Sequence, residues 1–179
     1  MFNRLMVEAG VRIILKGLGE DTHREGLKET PSRVAQFYKE WIDGKPPNMS
    51  LFGDSYGNMV IVKHIPFYSL CEHHILPFIG TASIGYIPGG KVLGLSKVVR
   101  ILYKHSHKLQ MQERLTEQVA DELSRITKGK GVMVVIEAEH LCMSMRGVRV
   151  SGSKTVTSSI RGVFTDNGAA RTEFLELIR

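Results

Sequence analysis

The sequence predicts an α+β fold built on an antiparallel sheet. Apolar residues at helical spacing dominate the first part of the chain, β-prone runs then follow one another, and a helical section separates the early strands from the last ones. Strands that are neighbours along the chain pair most economically as antiparallel neighbours in a sheet. No internal repeat or low-complexity segment interrupts this order.

Residues 1–44 form a predicted helical lead. Apolar side chains at helical spacing over residues 5–18 indicate a first helix. Thr30 and Pro31 then offer an N-cap followed by proline at the first helical position, and a second apolar stripe follows them. Gly44 is the predicted end of this second helix.

The predicted core covers residues 59–179, after a connection over residues 45–58 that is rich in proline and glycine. Ser96 is placed to cap the first of two helices, and a last short helix carries Phe174. With 179 residues, the chain fits a single domain. Strands are predicted at residues 59–68, 78–87, 92–95, 132–138 and 155–164, with residues 92–95 resuming the sheet of the preceding strands.

The formal charge of +6 and the pI near 9.4 indicate an anionic partner. The basic residues are dispersed, whereas a nucleic-acid binder more often carries a dense block of Lys and Arg with interleaved aromatics, so we expect no nucleic-acid partner. The chain has no run of about eighteen apolar residues, and its start lacks a signal-peptide pattern. We therefore expect a cytoplasmic protein with no membrane partner.

The two cysteines of the chain each lie beside histidine. Cys71 and His74 have the short spacing that lets two ligands from one turn reach a single Zn²⁺, and Cys142, two residues beyond His140, can complete a three-ligand set. Three ligands leave a fourth position for water, which is typical of catalytic rather than structural zinc. A disulfide between the two cysteines, or two unrelated buried thiols, also fits this pattern.

Two further stretches suggest contacts with an anionic purine nucleotide. Ser96, Lys97 and Arg100 combine a helix start, a hydroxyl and two cations, which suits a triphosphate but equally suits a capped helix with a solvated basic face. Gln112 and Glu113 open the next helix, where a carboxylate can accept two hydrogen bonds from an edge such as that of guanine. A glutamate in a first helical turn is also simply favourable to the helix dipole.

Several long motifs together resemble GTP cyclohydrolase I. The resemblance runs from about residue 10 to the C-terminus, and the motifs occur in the order and spacing of that family. They include a lead-in at residues 24–27 (REGL) and 29–34 (ETPSRV). The core motifs are residues 67–74 (FYSLCEHH), 94–97 (GLSK), 110–118 (QMQERLTEQ), 139–147 (EHLCMSMRG) and 152–158 (GSKTVTS).

The resemblance implies a zinc-dependent enzyme that converts GTP to 7,8-dihydroneopterin triphosphate with release of formate. It also implies a tunnelling fold, with two helices between hairpins on one face of the sheet. The sheets of several subunits would join into a barrel, in a homo-oligomer that is usually a decamer of two stacked pentamers with active sites at subunit interfaces.

Site residues follow from the resemblance by position. One Zn²⁺ per subunit would be held by Cys71, His74 and Cys142, with His73 and His140 transferring protons. The remaining expectations concern the substrate: Glu113 with Gln112 for guanine, Ser96, Lys97, Arg100 and Arg146 for the triphosphate, Arg33 from a neighbouring subunit, and Ser96 also for proton transfer.

Some features depart from the family pattern or leave alternatives. Gln36 stands where many relatives have lysine, and His64 where aspartate is common. His105 and His107 could suggest a second metal, but residues two apart on a helix do not face the same way, so we interpret them as part of a solvated face. Alternative functions are a nitrile reductase of the same fold with a cysteine nucleophile, a non-catalytic binding protein, and a basic nucleic-acid module.

Overall fold

The computed structural model describes residues 2–42, 50–53 and 57–179. The predicted helix end at Gly44 and most of the predicted connection at residues 45–58 lie outside these residues. The chain divides into two compact units, Met1–Gly44 and Lys45–Arg179. Within the described part, the helices are all too short or too polar to cross a membrane.

Three helices lie within residues 2–42, the described part of the first unit, and the sequence did not predict one of them. Asn3 caps the first helix by accepting a hydrogen bond from the Met6 amide at 3.1 Å. Thr30 was predicted as an N-cap but is the first helical residue, because its hydroxyl instead donates to the Gly26 carbonyl at 3.3 Å in the short helix before it. The helices are α1 (Arg4–Gly17), α2 (Glu25–Lys28) and α3 (Thr30–Ile42).

The second unit carries a five-stranded sheet in the order β5-β2-β3-β6-β7. The pairs β2/β3, β3/β6 and β6/β7 are antiparallel, which confirms the α+β prediction, while the unpredicted short strand β5 is parallel to β2. The elements are β1 (Leu51–Gly53), β2 (Val60–Cys71), β3 (Pro77–Ile87), β4 (Lys91–Leu93), α4 (Leu95–Ser106), β5 (Leu109–Gln110), α5 (Gln112–Thr127), β6 (Gly131–His140), α6 (Leu141–Ser144), β7 (Thr155–Gly162) and α7 (Gly168–Leu177).

Successive residues of β6 face different helices, because side chains alternate across a strand. Val134 belongs to the main core, where α4 and α5 pack on the sheet with buried residues such as Ile101 and Leu123. Met133 belongs to a smaller core on the other face, with Phe174 of α7. The sheet is therefore held from both faces, which fixes the positions of its strand ends.

Two predictions at the end of β3 are wrong. Residues 91–93 do not resume the main sheet but pair with β1 in a separate two-stranded sheet, because the chain turns away after Ile87 through Gly90, whose φ is +99°. Ser96 does not cap α4, since the extended Gly94 precedes the helix and its carbonyl already accepts from the Lys97 amide at 2.7 Å.

The interpretation of His105 as part of a solvated face is also wrong. Its ring is 13% exposed, and its Nε2 atom lies 2.5 Å from a carboxylate oxygen of Glu122 on α5. Lys104 donates to both oxygens of the same carboxylate at 2.8 Å. Because α4 packs against α5, this part of the helix faces a neighbouring helix rather than water. His107 instead stacks on Tyr103, with ring centroids 5.3 Å apart.

Candidate active site

The candidate ligands gather at one end of the five-stranded sheet. Cys71 is the last residue of β2 and His140 the last residue of β6, while β3 begins between them at Pro77. Since β2 and β6 are both antiparallel to β3, they run in the same direction and terminate at the same end of the sheet. The Cys71–Gln110 pairing brings the start of α5 to this edge as well.

A tight turn after β2 folds His74 back towards Cys71. The Cys71 amide donates to the Leu76 carbonyl and the Ile75 amide donates to the Cys71 carbonyl, both at 2.8 Å. Ile75 has a φ of +55°, which a β-branched residue rarely adopts and which lets the chain reverse before β3. As a result, His74 Nδ1 lies 3.9 Å from Cys71 Sγ.

Cys71, His74 and Cys142 form a group that could hold a metal ion, with ligand atoms within 4.8 Å of one another. On a tetrahedral zinc, two sulfurs each at about 2.3 Å from the ion lie about 3.8 Å apart, and sulfur and nitrogen about 3.6 Å apart. The observed spacing therefore needs only small side-chain adjustments to fit such an ion. Cys71 and Cys142 are both free thiols, so no disulfide joins them, and that alternative interpretation is wrong.

Glu139 joins the short helix α6, which carries Cys142, to the segment that follows it. Its Oε1 atom accepts hydrogen bonds from the Ser144 hydroxyl at 2.6 Å and from the Gly152 amide at 3.1 Å. These two donors lower the pKa of the Glu139 carboxyl. Burial raises the pKa of the Cys142 thiol, and the neighbouring Cys71 adds to this rise. A cation bound between the two sulfurs would favour their thiolate forms.

Two other predicted residues adjoin the ligand group. The Nδ1 atom of the exposed His73 ring lies 3.7 Å from Cys71 Sγ. Arg146 donates through Nη1 to His74 Nε2 at 2.7 Å. One candidate proton donor and one candidate anion contact therefore lie at the ligand group within a single chain.

His140 is half-buried and held on two sides. Its ring stacks on Phe78, with centroids 4.7 Å apart and planes 2° apart, and its Nε2 lies 2.8 Å from Gln112 Oε1. Burial lowers the pKa of His140, and the nearby carboxylate of Glu113 opposes that shift. Glu113 is exposed, whereas the Gln112 side chain is enclosed within the chain, which differs from the guanine contact that the sequence suggested for it.

The predicted phosphate contacts on α4 are not brought to this end of the sheet. Ser96, Lys97 and Arg100 lie in the first turns of α4, whereas the end of α4 is anchored near the ligands by a hydrogen bond from the Ser69 hydroxyl to the Ser106 carbonyl at 2.7 Å. A helix of 12 residues is about 18 Å long, so the start of α4 lies well away from Cys71. Arg33 is an exposed residue of α3, in the first unit.

Sequence reasoning missed the residues that support the site. Phe78 faces His140 because the two are paired across β3 and β6, and the alternation within each strand does not reveal that register. Glu139 resembles an ordinary polar residue of a strand. Thr157, whose hydroxyl lies 3.1 Å from the side-chain nitrogen of Gln112, is one of several threonines in a β-prone run. Only the position of Gln112 at a helix start was recognised, without its partner.

Comparison with known proteins assigns the chain to a family. The model of the family described as GTP cyclohydrolase I matches residues 7–179. GTP cyclohydrolase 1 of Hydrogenobaculum sp. (strain Y04AAS1) is 51% identical over 181 residues, covering 100% of both chains. GTP cyclohydrolase 1 of Aquifex aeolicus (strain VF5) is 53% identical over 175 residues, covering 97% of this chain and 95% of that one.

Among solved structures, the archaeosine synthase QueF-Like in the apo form aligns with a TM-score of 0.46 and 18% identity. The alignment covers 61% of this chain and 97% of that structure, and a likeness this weak does not bear on the function of this chain. The resemblance seen in the motifs is confirmed by the family model, which matches nearly the whole chain, and by the two relatives, which are about 50% identical to it. The chain belongs to the GTP cyclohydrolase I family.

Proposed function

We propose that this protein is a zinc-dependent GTP cyclohydrolase, which converts GTP and water to 7,8-dihydroneopterin triphosphate and formate. The observation that carries the proposal is the meeting of Cys71, His74 and Cys142 at one strand edge, with His140 beside them, in a member of this family.

The proposed zinc ligands are Cys71, His74 and Cys142. With three protein ligands, the ion would leave a position for water and would lower the pKa of that water to about 7. His74 would bind it through Nδ1, which lies 3.9 Å from Cys71 Sγ, so the ring proton would be on Nε2, and Nε2 would then accept no hydrogen bond. Since arginine has only donors, Arg146 would leave His74 and become available to a phosphate.

The proposed proton-transfer residues are His73 and His140. Hydration of C8 in the guanine ring, with protonation of a ring nitrogen, breaks one C–N bond, and a second hydration releases C8 as formate. Burial lowers the pKa of His140 and so favours its neutral ring, which can accept a proton and later return it to a nitrogen. The ribose then undergoes an Amadori rearrangement and closes onto the freed amine with loss of one water, and we propose that Ser96 moves protons in this phase.

The proposed base contact is Glu113, an exposed carboxylate next to His140 that can accept hydrogen bonds from the N–H and NH₂ groups of guanine. The triphosphate would be bound by charge-assisted hydrogen bonds from cationic side chains. These are Lys97, Arg100, Arg146 and Arg33, together with the hydroxyl of Ser96.

The separation of α4's first turn from the ligands supports an active site shared between chains. In this arrangement, Lys97 and Arg100 of one copy bind the phosphates of a GTP whose base lies at Cys142 of another, in keeping with the position of Lys97 at the opposite end of α4 from the ligands in its own chain. We propose that subunit sheets join into a barrel of the tunnelling fold, as a decamer of two stacked pentamers, and that Arg33 reaches the site of a neighbour.

The test is incubation of the purified, zinc-loaded protein with GTP. We expect formate and a pterin that becomes fluorescent after oxidation, both absent after a chelator and in Cys142→Ser. A zinc-replete, oligomeric sample that yields neither product would overturn the proposal. A zinc-free but active protein in which Cys71 forms a covalent adduct would instead support a nitrile reductase.

A further inference from the structure

The side-chain amide of Gln112 is enclosed within the chain at the candidate site. The residue is 1% exposed, although it begins a helix. Its Nε2 atom lies 3.0 Å from the carbonyl oxygens of Ile136 and Thr155 and 3.1 Å from the hydroxyl of Thr157. The two carbonyls belong to β6 and β7, so the amide joins the start of α5 to the sheet.

These neighbours determine which way the amide faces. Carbonyl oxygens can only accept hydrogen bonds, so the group facing Ile136 and Thr155 must be the NH₂ group. The Thr116 hydroxyl donates its hydrogen to the main-chain carbonyl of Gln112 at 2.8 Å. The Thr157 hydroxyl, 2.6 Å from the Thr116 hydroxyl, therefore donates to Thr116 and turns its own oxygen, as an acceptor, towards the side-chain NH₂ group of Gln112. A flipped amide would place its oxygen against two other acceptors inside the protein.

The orientation of the amide in turn determines the tautomer of His140. Gln112 Oε1 can only accept, so His140 Nε2, at 2.8 Å, must carry a hydrogen. A neutral imidazole with its hydrogen on Nε2 has its lone pair on Nδ1. The parallel stacking on Phe78 fixes the plane of the ring, and the hydrogen bond fixes its rotation within that plane.

We propose that Gln112 is a positioning residue, which holds His140 as the Nε2–H tautomer and so presents Nδ1 to the substrate, rather than a residue that contacts guanine. The expected effect of Gln112 on turnover rests on the proposed function, whereas the tautomer of His140 does not depend on it. A histidine in the wrong tautomer cannot exchange a proton at the required atom even when its ring is in place. Gln112 therefore acts on the chemical step and leaves substrate affinity unchanged.

The test uses ¹⁵N-histidine-labelled, zinc-loaded protein and magic-angle-spinning NMR, with the His140 signals identified by their loss in His140→Asn. In the unsubstituted protein, at a pH where the ring is neutral, we expect a protonated Nε2 and an unprotonated Nδ1. Gln112→Met fills the same space without an acceptor and should give a mixture of tautomers. An unsubstituted protein with the hydrogen on Nδ1 would overturn the proposal without any variant.

Kinetics separate positioning from base contact. We expect Gln112→Met to lower kcat about 100-fold, within the range that a positioned acid or base contributes, with KM for GTP changed less than about threefold. The matched control is Gln118→Met on the same helix, which loses the hydrogen bond from Gln110 at 3.1 Å but does not contact His140, and should keep both the tautomer and kcat. A large rise in KM with an unchanged His140 spectrum would show that Gln112 binds the base. Failure of the unsubstituted protein to release formate would count against the proposed function alone, since the NMR result does not depend on turnover.

Discussion

Two regions of the molecule differ in how far the chain itself organises them. One is the end of the sheet where the ligand group lies, and the other is the start of α4. At the strand edge, His74 contacts Cys71 and Arg146, and His140 contacts Gln112 and Phe78. At the start of α4, no hydrogen bond or ion pair joins the side chains of residues 96, 97 and 100 to any other residue in the described part of the chain. The first region is assembled within one chain, and the second has cations and a hydroxyl free for a ligand or another subunit.

The strongest way to break this contrast is to remove one proposed zinc ligand. Cys142→Ser leaves two strong ligands, so we expect bound zinc to fall to a small fraction and formate release to fall more than about 100-fold, beyond what loss of a supporting residue costs. Zinc analysis and the formate assay measure both effects. Met145→Leu, an exposed change in the same loop, is the control and should behave as the unsubstituted protein. Full zinc content and activity in Cys142→Ser would refute the ligand assignment.

The next largest effect should come from the start of α4. Arg100→Ala removes a charge-assisted hydrogen bond to phosphate, and we expect KM for GTP to rise about 10- to 100-fold with zinc content unchanged. The exposed Arg125, on α5, provides the control substitution Arg125→Ala. Loss of zinc in Arg100→Ala would show that the two regions are not independent.

Co-expression of His140→Asn and Arg100→Ala chains sharpens the same comparison. If each active site takes His140 from one chain and Arg100 from another, random mixing restores both residues in about one quarter of the sites. Activity of the mixed oligomer should then exceed that of either variant alone. No recovery, with mixed oligomers verified by mass spectrometry, would place both residues of a site in one chain.

A smaller effect should follow from removing the hydrogen bonds that Glu139 makes around α6, the short helix that carries Cys142. Glu139→Leu removes the acceptor for the Ser144 hydroxyl and the Gly152 amide, and we expect about tenfold weaker zinc binding, the lower end for residues that support metal ligands. Glu139→Gln keeps an acceptor oxygen and should restore most of the affinity. Equal zinc affinities of the two variants in competition with a chelator would argue against the role of Glu139.

The smallest effect concerns the stability of the fold and not the proposed chemistry of either region. Burial lowers the pKa of His105, while the carboxylate of Glu122 opposes this shift. Below about pH 6.5 the unfolded chain takes up a proton at His105 that the folded protein does not, so the free energy of unfolding should fall as the pH falls towards the lower folded pKa. Urea unfolding should show a weaker pH dependence in His105→Leu than in the unsubstituted protein. Identical pH dependence in the two proteins would contradict this account.

The sequence predicts the parts of this protein that depend on local patterns. The α+β class, most strands and the helix that begins at Gln112 follow from residue periodicity, and the spacing of Cys71 and His74 indicates a shared ion. That Cys142 lies beside Cys71 and His74 depends on folding over a long sequence separation, which their local spacing does not predict. Pairing register, the departure of β4 from the main sheet and the Gln112–His140 contact depend on tertiary packing, which no local pattern encodes.

The most direct test of the central claim is to follow the carbon that the proposed reaction removes. Zinc-loaded protein supplied with GTP labelled with ¹³C at C8 should yield ¹³C-formate and dihydroneopterin triphosphate in equal amounts by NMR, and His140→Asn should yield far less of both with zinc still bound. Label that stays in the nucleotide while the ligand group is fully loaded would contradict the account, because zinc at Cys71, His74 and Cys142 would then not open the guanine ring.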